Sequence, residues 1–205
     1  MIELSPHRLS LATAIDMDAF TAGNPAHPAI IFLHGFPESH RTWRHQMAHF
    51  ADRFYCIAPD QRGYRGTSKP KEVEAYTADK LTADIFALAD ALNVQQFVIA
   101  GHDWGGAIAW SVALNGQPDA PNPAWAGRVR RAVIANAPHP YLFQRLLITD
   151  MNQRASSQYM IDFRDTANDA LVQDQGLTGL MLKTVKWDKP SAMEPEERTA
   201  LLADW

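Results

Sequence analysis

The sequence has almost no cysteine, little net charge and no long apolar run, and each shortage excludes a class of protein. Cys56 is the only cysteine among 205 residues, so the chain cannot form an internal disulfide, which favours a reducing, cytoplasmic location. The net charge of −4 gives no reason to expect a nucleic acid or an anionic membrane as a partner. No apolar run reaches the ~18 residues of a membrane span, and residues 1–10 lack a signal-peptide pattern.

The most informative stretch is FVIAGHDWGGAIAW, residues 97–110. Its apolar start predicts a buried strand, and its small residues further on predict a helix. Between them, Gly101, Asp103 and Gly105 match the G-x-nucleophile-x-G pattern of a sharp strand-to-helix turn, with Asp103 at the tip. The glycines do not follow the G-x-G-x-x-G spacing, so a nucleotide site is not expected. We expect Asp103 to project from the carboxyl end of a strand, where open α/β sheets bind ligands.

An aspartate at the tip of this turn indicates a particular chemistry. A serine would need a base to remove its proton before it could attack, whereas a carboxylate is already ionised at neutral pH. A carboxylate is a modest nucleophile, suited to a saturated carbon that bears a strained or good leaving group. The product would be an ester between Asp103 and the substrate. The residue type therefore predicts the opening of an epoxide or the displacement of a halide.

The order of the predicted elements indicates an α/β protein. Strands alternate with helices up to residue 140, which predicts a mostly parallel sheet covered by helices on both faces. Beyond residue 140 only helices are predicted, so we expect a core over 1–140 and a helical cap, or lid, over 141–205. The predicted strands are 8–15, 29–33, 53–58, 96–100 and 129–135, and the predicted helices include 39–52, 141–163, 169–186 and 195–203.

Hydrolysis of an aspartyl ester needs hydrogen-bond donors for the charge that develops on the ester carbonyl oxygen. The backbone N–H of Trp104 heads the predicted helix and gains from its dipole. The loop after strand 29–33 reads His34-Gly35-Phe36-Pro37, and its glycine would allow a close approach of the Phe36 N–H. These two amides are the predicted oxyanion hole.

Four motifs, HGFPES, WRHQM, DQRGY and GHDWGG, resemble in type and order those of the α/β-hydrolase superfamily and its epoxide hydrolases, over about residues 30–163. The resemblance implies the α/β-hydrolase fold with a helical cap. It implies that an epoxide, a small-molecule substrate, is opened to a diol through an ester on Asp103, with no metal or organic cofactor. A cap phenol would protonate the opening oxygen, and Tyr159 is the matching residue. The expected substrate pocket contains Phe36, Pro37, Trp104 and His139.

The resemblance also implies residues that this sequence does not supply. In this family the base histidine, its orienting acid and a second cap tyrosine come later in the chain, so we expect them beyond Trp205 and expect the core to be incomplete there. Residues 136–140 contain no carboxylate that could replace the acid. His34, His102 and His139 could approach Asp103, but position and fold order argue against each as the base.

Two other functions stay open at this stage. A haloalkane or haloacid dehalogenase would use the same Asp103 nucleophile, and the Trp104 indole could hold a halide. Against this, Phe36 stands where haloalkane enzymes carry a polar residue, and no arginine follows Asp103 closely, as in haloacid enzymes. A non-catalytic binding protein could keep the front half of the fold. We interpret Asp60, Arg62 and Tyr64 as a hydrogen-bonded brace beside the oxyanion hole. The oligomeric state is open.

Overall fold

The computed structural model describes residues 3–184 and 195–204. By its internal contacts the chain forms two compact units, Met1–Ala137 and Pro138–Trp205. The sequence placed this division after residue 140. The first unit holds the sheet, and the described residues of the second unit are helices and connecting turns.

The sheet has six strands in the order β1-β2-β4-β3-β5-β6. Strands β3, β4, β5 and β6 are parallel to their neighbours, while β2 runs antiparallel to β1 and to β4. The predicted mostly parallel α/β sheet is confirmed. The strands are β1 (Ser5–Ser10), β2 (Asp16–Ala22), β3 (Ala29–Leu33), β4 (Tyr55–Pro59), β5 (Phe97–His102) and β6 (Val129–Ala135).

The predicted edge strand 8–15 is wrong in its bounds. The structure has a hairpin instead: β1 ends at Ser10, and β2 begins at Asp16, which pairs with it. Ala14 takes a φ of +59° in the connecting turn, and its N–H donates to the Leu11 carbonyl oxygen at 3.0 Å. This turn was missed because it contains neither glycine nor proline, the residues that usually mark one.

The helices of the first unit cover the sheet. Residues predicted as one helix, 39–52, form a 3-10 turn and then α1, with the Ser39 hydroxyl accepting the Arg41 N–H at 3.3 Å. The bounds are His40–Trp43 (3-10), α1 (Arg44–Phe50), Val73–Tyr76 (3-10), α2 (Ala78–Ala91) and α3 (Trp104–Asn115).

Alternate residues of the central strands pack into two different apolar clusters, because successive side chains of a strand point to opposite faces. Ile31 belongs to the cluster that contains residues of α2 and α3. Ile30 and Cys56 belong to the other, which contains Met47 of α1. Cys56 is fully buried, and this burial raises the pKa of its thiol to about 11. The cysteine is therefore a core residue.

β6 is the outermost strand on its side of the sheet, and β5 is its partner among the strands that the structure describes. Five of its residues are exposed: Arg130, Arg131, Ala132, Val133 and Ala135. In the described part of the chain, β6 therefore forms an exposed edge of the sheet.

The second unit contains more and shorter helices than predicted. Segment 141–163 forms three of them, because Asp150 ends the first and caps the next by accepting the N–H groups of Asn152 and Gln153. Gly176 interrupts a later one with a φ of +70°. The helices are α4 (Pro140–Thr149), α5 (Met151–Ser156), α6 (Tyr159–Asp162), α7 (Ala167–Thr184) and α8 (Pro195–Asp204). The predicted end of α7 at residue 186 lies outside the described residues. None of the described helices has the length and apolar character to cross a membrane.

Candidate active site

The predicted strand–turn–helix elbow is present, with Asp103 between β5 and α3. Its φ of +53° and ψ of −121° are strained for a residue with a side chain, by ~1–3 kcal/mol. One hydrogen bond and one close approach between backbones fix the turn. The Asp103 N–H donates to the Ala135 carbonyl oxygen at 3.1 Å. A side-chain carbon on Gly105 would lie 2.3 Å from the carbonyl oxygens of Leu33 and His34, so only glycine lets α3 approach β3 this closely.

The loop after β3 delivers an amide directly to the Asp103 carboxylate. The Phe36 N–H donates to Oδ1 of Asp103 at 3.0 Å. This approach depends on Gly35, where an added side-chain carbon would lie 2.6 Å from the Asp103 Cβ and 2.7 Å from Oδ1. The sequence predicted that the Phe36 amide approaches Asp103, and the structure brings the two together; the role of this amide in an oxyanion hole stays a prediction.

Trp104, Phe36 and Pro37 are close to Asp103 in sequence or through the Phe36 amide. Trp104 is the first residue of α3, where helix N–H groups have no partner within the helix, so its amide is in the position required of a second donor. Trp104 and Phe36 are 44% and 41% exposed. Pro37 is partly buried and follows Phe36 through a cis peptide bond.

His34 is part of the scaffold and is not placed to act as a base. It is completely buried, its Nδ1–H donates to the Gly35 carbonyl oxygen at 2.9 Å, and its Nε2 accepts the Gln61 N–H at 3.1 Å. Burial lowers the pKa of His34, which keeps the ring neutral. Nδ1 thus fixes the ring within the β3 loop, and Nε2 joins that loop to the loop after β4.

The loop after β4 is a brace, as we interpreted it from the sequence. Buried Asp60 accepts the His40 N–H at 2.8 Å and its ring Nδ1–H at 2.9 Å. Burial alone would raise the pKa of Asp60, but these bonds and the charge of His40 lower it. Arg62 makes a two-pronged, buried ion pair with Asp84 of α2, with distances of 2.8 and 2.7 Å.

Tyr64 is part of the same loop and also lies close enough to Asp103 to be affected by its charge. Its ring packs edge-on against His34, with ring centres 4.6 Å apart. Burial raises the pKa of Tyr64, and the charges of Asp103 and Glu38 raise it further. The phenol therefore stays protonated.

Glu38, His102 and Asn136 form a hydrogen-bonded cluster that the sequence analysis missed. Oε2 of Glu38 accepts the Gly35 N–H at 3.2 Å and faces Nδ1 of His102 at 3.2 Å. Nε2 of His102 faces the Asn136 side-chain amide at 3.3 Å. With both ring nitrogens engaged, His102 is also poorly placed to act as a base. The available signal was that all three residues follow or end strands that meet at one edge of the sheet.

The other two predicted site residues belong to the second unit. Tyr159 begins α6 with its side chain 54% exposed, and its ring packs edge-on against Phe163 at 6.0 Å between centres. His139 is the residue before α4. The roles predicted for Tyr159 and His139 stay predictions. Among the residues that the structure describes, no group of three or more histidine, cysteine or carboxylate side chains is placed to hold a metal ion.

Comparison with known proteins agrees with this geometry. Residues 28–178 match the family described as the alpha/beta hydrolase fold. The chain belongs to the α/β-hydrolase family. The resemblance indicated by the four sequence motifs is therefore confirmed.

Curated relatives within the α/β-hydrolase family include several epoxide hydrolases. The chain is 34% identical over 143 residues to epoxide hydrolase 1 of Caenorhabditis elegans, which covers 70% of this chain and 33% of that protein. It is 42% identical over 108 residues to epoxide hydrolase A of Mycobacterium tuberculosis, which covers 52% of this chain and 34% of that protein. The matches thus span about a third of the length of these relatives.

Two solved α/β-hydrolase structures resemble the whole chain. One, described as a novel epoxide hydrolase from metagenomes of hot environments, has 62% identity and a TM-score of 0.89, covering 100% of this chain and 66% of that one. The other is the epoxide hydrolase of Bacillus megaterium in complex with an inhibitor, with 29% identity and a TM-score of 0.81, covering 97% of this chain and 66% of that one.

Proposed function

We propose that this chain carries the nucleophile of an epoxide hydrolase and that Asp103 attacks the substrate. The observation that carries the proposal is the 3.0 Å hydrogen bond from the Phe36 N–H to the Asp103 carboxylate, made at the tip of a strained turn. Strain of this kind collects where a side chain must be held in one position for function. The epoxide hydrolases among its relatives support the choice of reaction.

In the first step a carboxylate oxygen of Asp103 attacks a saturated ring carbon of the epoxide. A C–O bond forms as the ring C–O bond breaks, and its electron pair goes to the ring oxygen, which takes a proton. Because the Phe36 amide holds Oδ1, we assign the attack to Oδ2. The resemblance of Tyr159 to a cap tyrosine supports it as the proton donor, since a phenol can protonate an alkoxide as the charge develops.

In the second step water attacks the acyl carbon of the ester, and negative charge develops on the carbonyl oxygen. That oxygen is the former Oδ1, so the Phe36 amide already points at it. Loss of one such donor costs about 10²–10³-fold in comparable sites. The base for this water is not assigned to His34 or His102, whose ring nitrogens are engaged.

Covalent labelling tests the proposal on this chain. The chain is incubated with styrene oxide or, as a matched halide, with 2-phenylethyl bromide, and the peptide containing Asp103 is weighed by mass spectrometry. We expect the epoxide to add its full mass to Asp103, and Asp103→Asn to remove the adduct. Asp119→Asn is the control, because Asp119 is an exposed loop residue outside the site. A halide adduct without an epoxide adduct would favour a dehalogenase, and reversible binding with no adduct would favour a binding protein.

A further inference from the structure

Glu38 makes two contacts that the proposed chemistry does not use. It is partly buried, with 28% of its side chain exposed, and a single oxygen, Oε2, lies 3.2 Å from the Gly35 N and 3.2 Å from Nδ1 of His102. The two partners are 67 residues apart in sequence. One belongs to the loop after β3 and the other ends β5. The carboxylate therefore joins two loops that the chain brings together only by folding.

The two partners occupy equivalent places in the site. Gly35 immediately precedes Phe36, and His102 immediately precedes Asp103. Glu38 thus holds Gly35 and His102, and the next residue after each, Phe36 and Asp103, form the 3.0 Å hydrogen bond. Fixing the Gly35 amide anchors the loop immediately before the Phe36 amide, because only the φ and ψ rotations of Gly35 separate the two planar peptide groups.

A third strand end is tied to the same cluster. Asn136 follows β6 with a φ of +54°, and its side-chain Nδ2 lies 3.3 Å from Nε2 of His102. The residue before it, Ala135, accepts the Asp103 N–H through its carbonyl oxygen at 3.1 Å. His102 is thereby held from both sides of its ring, by a carboxylate at Nδ1 and an amide at Nε2.

We propose that Glu38 is a positioning residue, which acts through the Gly35 amide and His102 to hold the Phe36 amide against the Asp103 carboxylate. Its effect on rate rests on the proposed function, but its effect on geometry does not. A glutamine at this position has no charge, so its single oxygen accepts both hydrogen bonds more weakly than the carboxylate oxygen does. The β3 loop is then held less firmly, and a misplacement of about 1 Å is enough to cost up to ~100-fold in rate.

The first test needs no activity and uses NMR of the isotope-labelled chain. Asp103→Asn identifies the amide-proton shift that reports the Phe36 contact. We expect Glu38→Gln to move the Phe36 amide signal in the same direction, and Glu74→Gln, which removes an exposed charge, to leave it unchanged. An unmoved Phe36 signal in folded Glu38→Gln would overturn the proposal.

The second test measures how fast styrene oxide labels Asp103. We expect Glu38→Gln to slow labelling by about tenfold while the melting temperature changes little, and His102→Gln to act similarly. The double variant should be no slower than the slower single variant, since residues of one network are not additive. Additive losses would overturn the coupling. If the unaltered chain is never labelled, the proposed function fails, and the Phe36 signal still decides the role of Glu38. Should Glu38→Gln fail to fold, His102→Gln carries both tests.

Discussion

Gly35→Ala would place a methyl group against the side chain of Asp103. The new carbon would lie 2.6 Å from the Asp103 Cβ and 2.7 Å from Oδ1, and must reach an ordinary contact of 3.4 Å or more. The loop after β3 therefore has to retreat by about 0.8 Å, an overpacking that costs ~1–3 kcal/mol of stability. The same shift would stretch the 3.0 Å bond between Phe36 and Asp103 beyond hydrogen-bond range.

The consequence is measured on the ester itself. Hydroxylamine cleaves an aspartyl ester at its acyl carbon, forming the hydroxamate and releasing the alcohol, so the rate depends on the oxyanion donors and needs no histidine base. We expect Gly35→Ala to slow this cleavage by about 10²-fold, the cost of one lost donor. Gly127→Ala is the matched control, because a methyl group there meets nothing within 4 Å and only a φ of +74° opposes it. Cleavage at the unaltered rate in folded Gly35→Ala would refute the reasoning.

Three further predictions concern stability and association. Because burial lowers the pKa of His34, the imidazole takes up a proton in the unfolded chain at a higher pH than in the folded chain. The melting temperature should therefore fall as the pH drops below ~6.5. His34→Gln should flatten that part of the pH profile, and an unchanged slope would contradict the lowered pKa of His34. Arg62→Met leaves Asp84 buried without its two-pronged partner, and should lower the free energy of unfolding in urea by ~3–5 kcal/mol. Adding Asp84→Leu to this variant should restore part of that free energy. A loss under 1 kcal/mol would count against a buried ion pair in the brace. Val133→Lys puts a charge on the edge strand β6, where Val133 is 59% exposed. It should reduce aggregation, measured as light scattering when the protein is concentrated. Val73→Lys, on an exposed 3-10 turn, should leave the light scattering unchanged.

Local pattern was enough to predict the centre of the fold. The apolar run at Phe97 and the crowded glycines around Asp103 predicted the elbow, because a buried parallel strand and a close strand-to-helix turn each restrict residue type. The hairpin of β1 and β2 was missed, since the polar residues Asp16 and Asp18 interrupt the apolar pattern and the turn has no glycine.

The contacts that complete the site have no local signature. The bond between Glu38 and His102 spans 64 residues, and nothing in either neighbourhood marks the two as partners. The position of Glu38 became meaningful only when the sheet order brought the ends of β3 and β5 side by side. The sequence similarly identified Tyr64 as part of a brace. Only the folded structure shows that Tyr64 lies close enough to Asp103 for the charge of that carboxylate to raise the pKa of the phenol.

The position of an oxygen label tests the central claim most directly. The chain labelled with styrene oxide is transferred to mild alkali in water enriched in oxygen-18, and both the released diol and the Asp103 peptide are weighed. An ester on Asp103 that breaks at its acyl carbon places the heavy oxygen in the Asp103 carboxylate and leaves the diol unlabelled. Heavy oxygen in the diol, with none in Asp103, would mean that water attacked the alkyl carbon and not the acyl carbon, and would contradict the account.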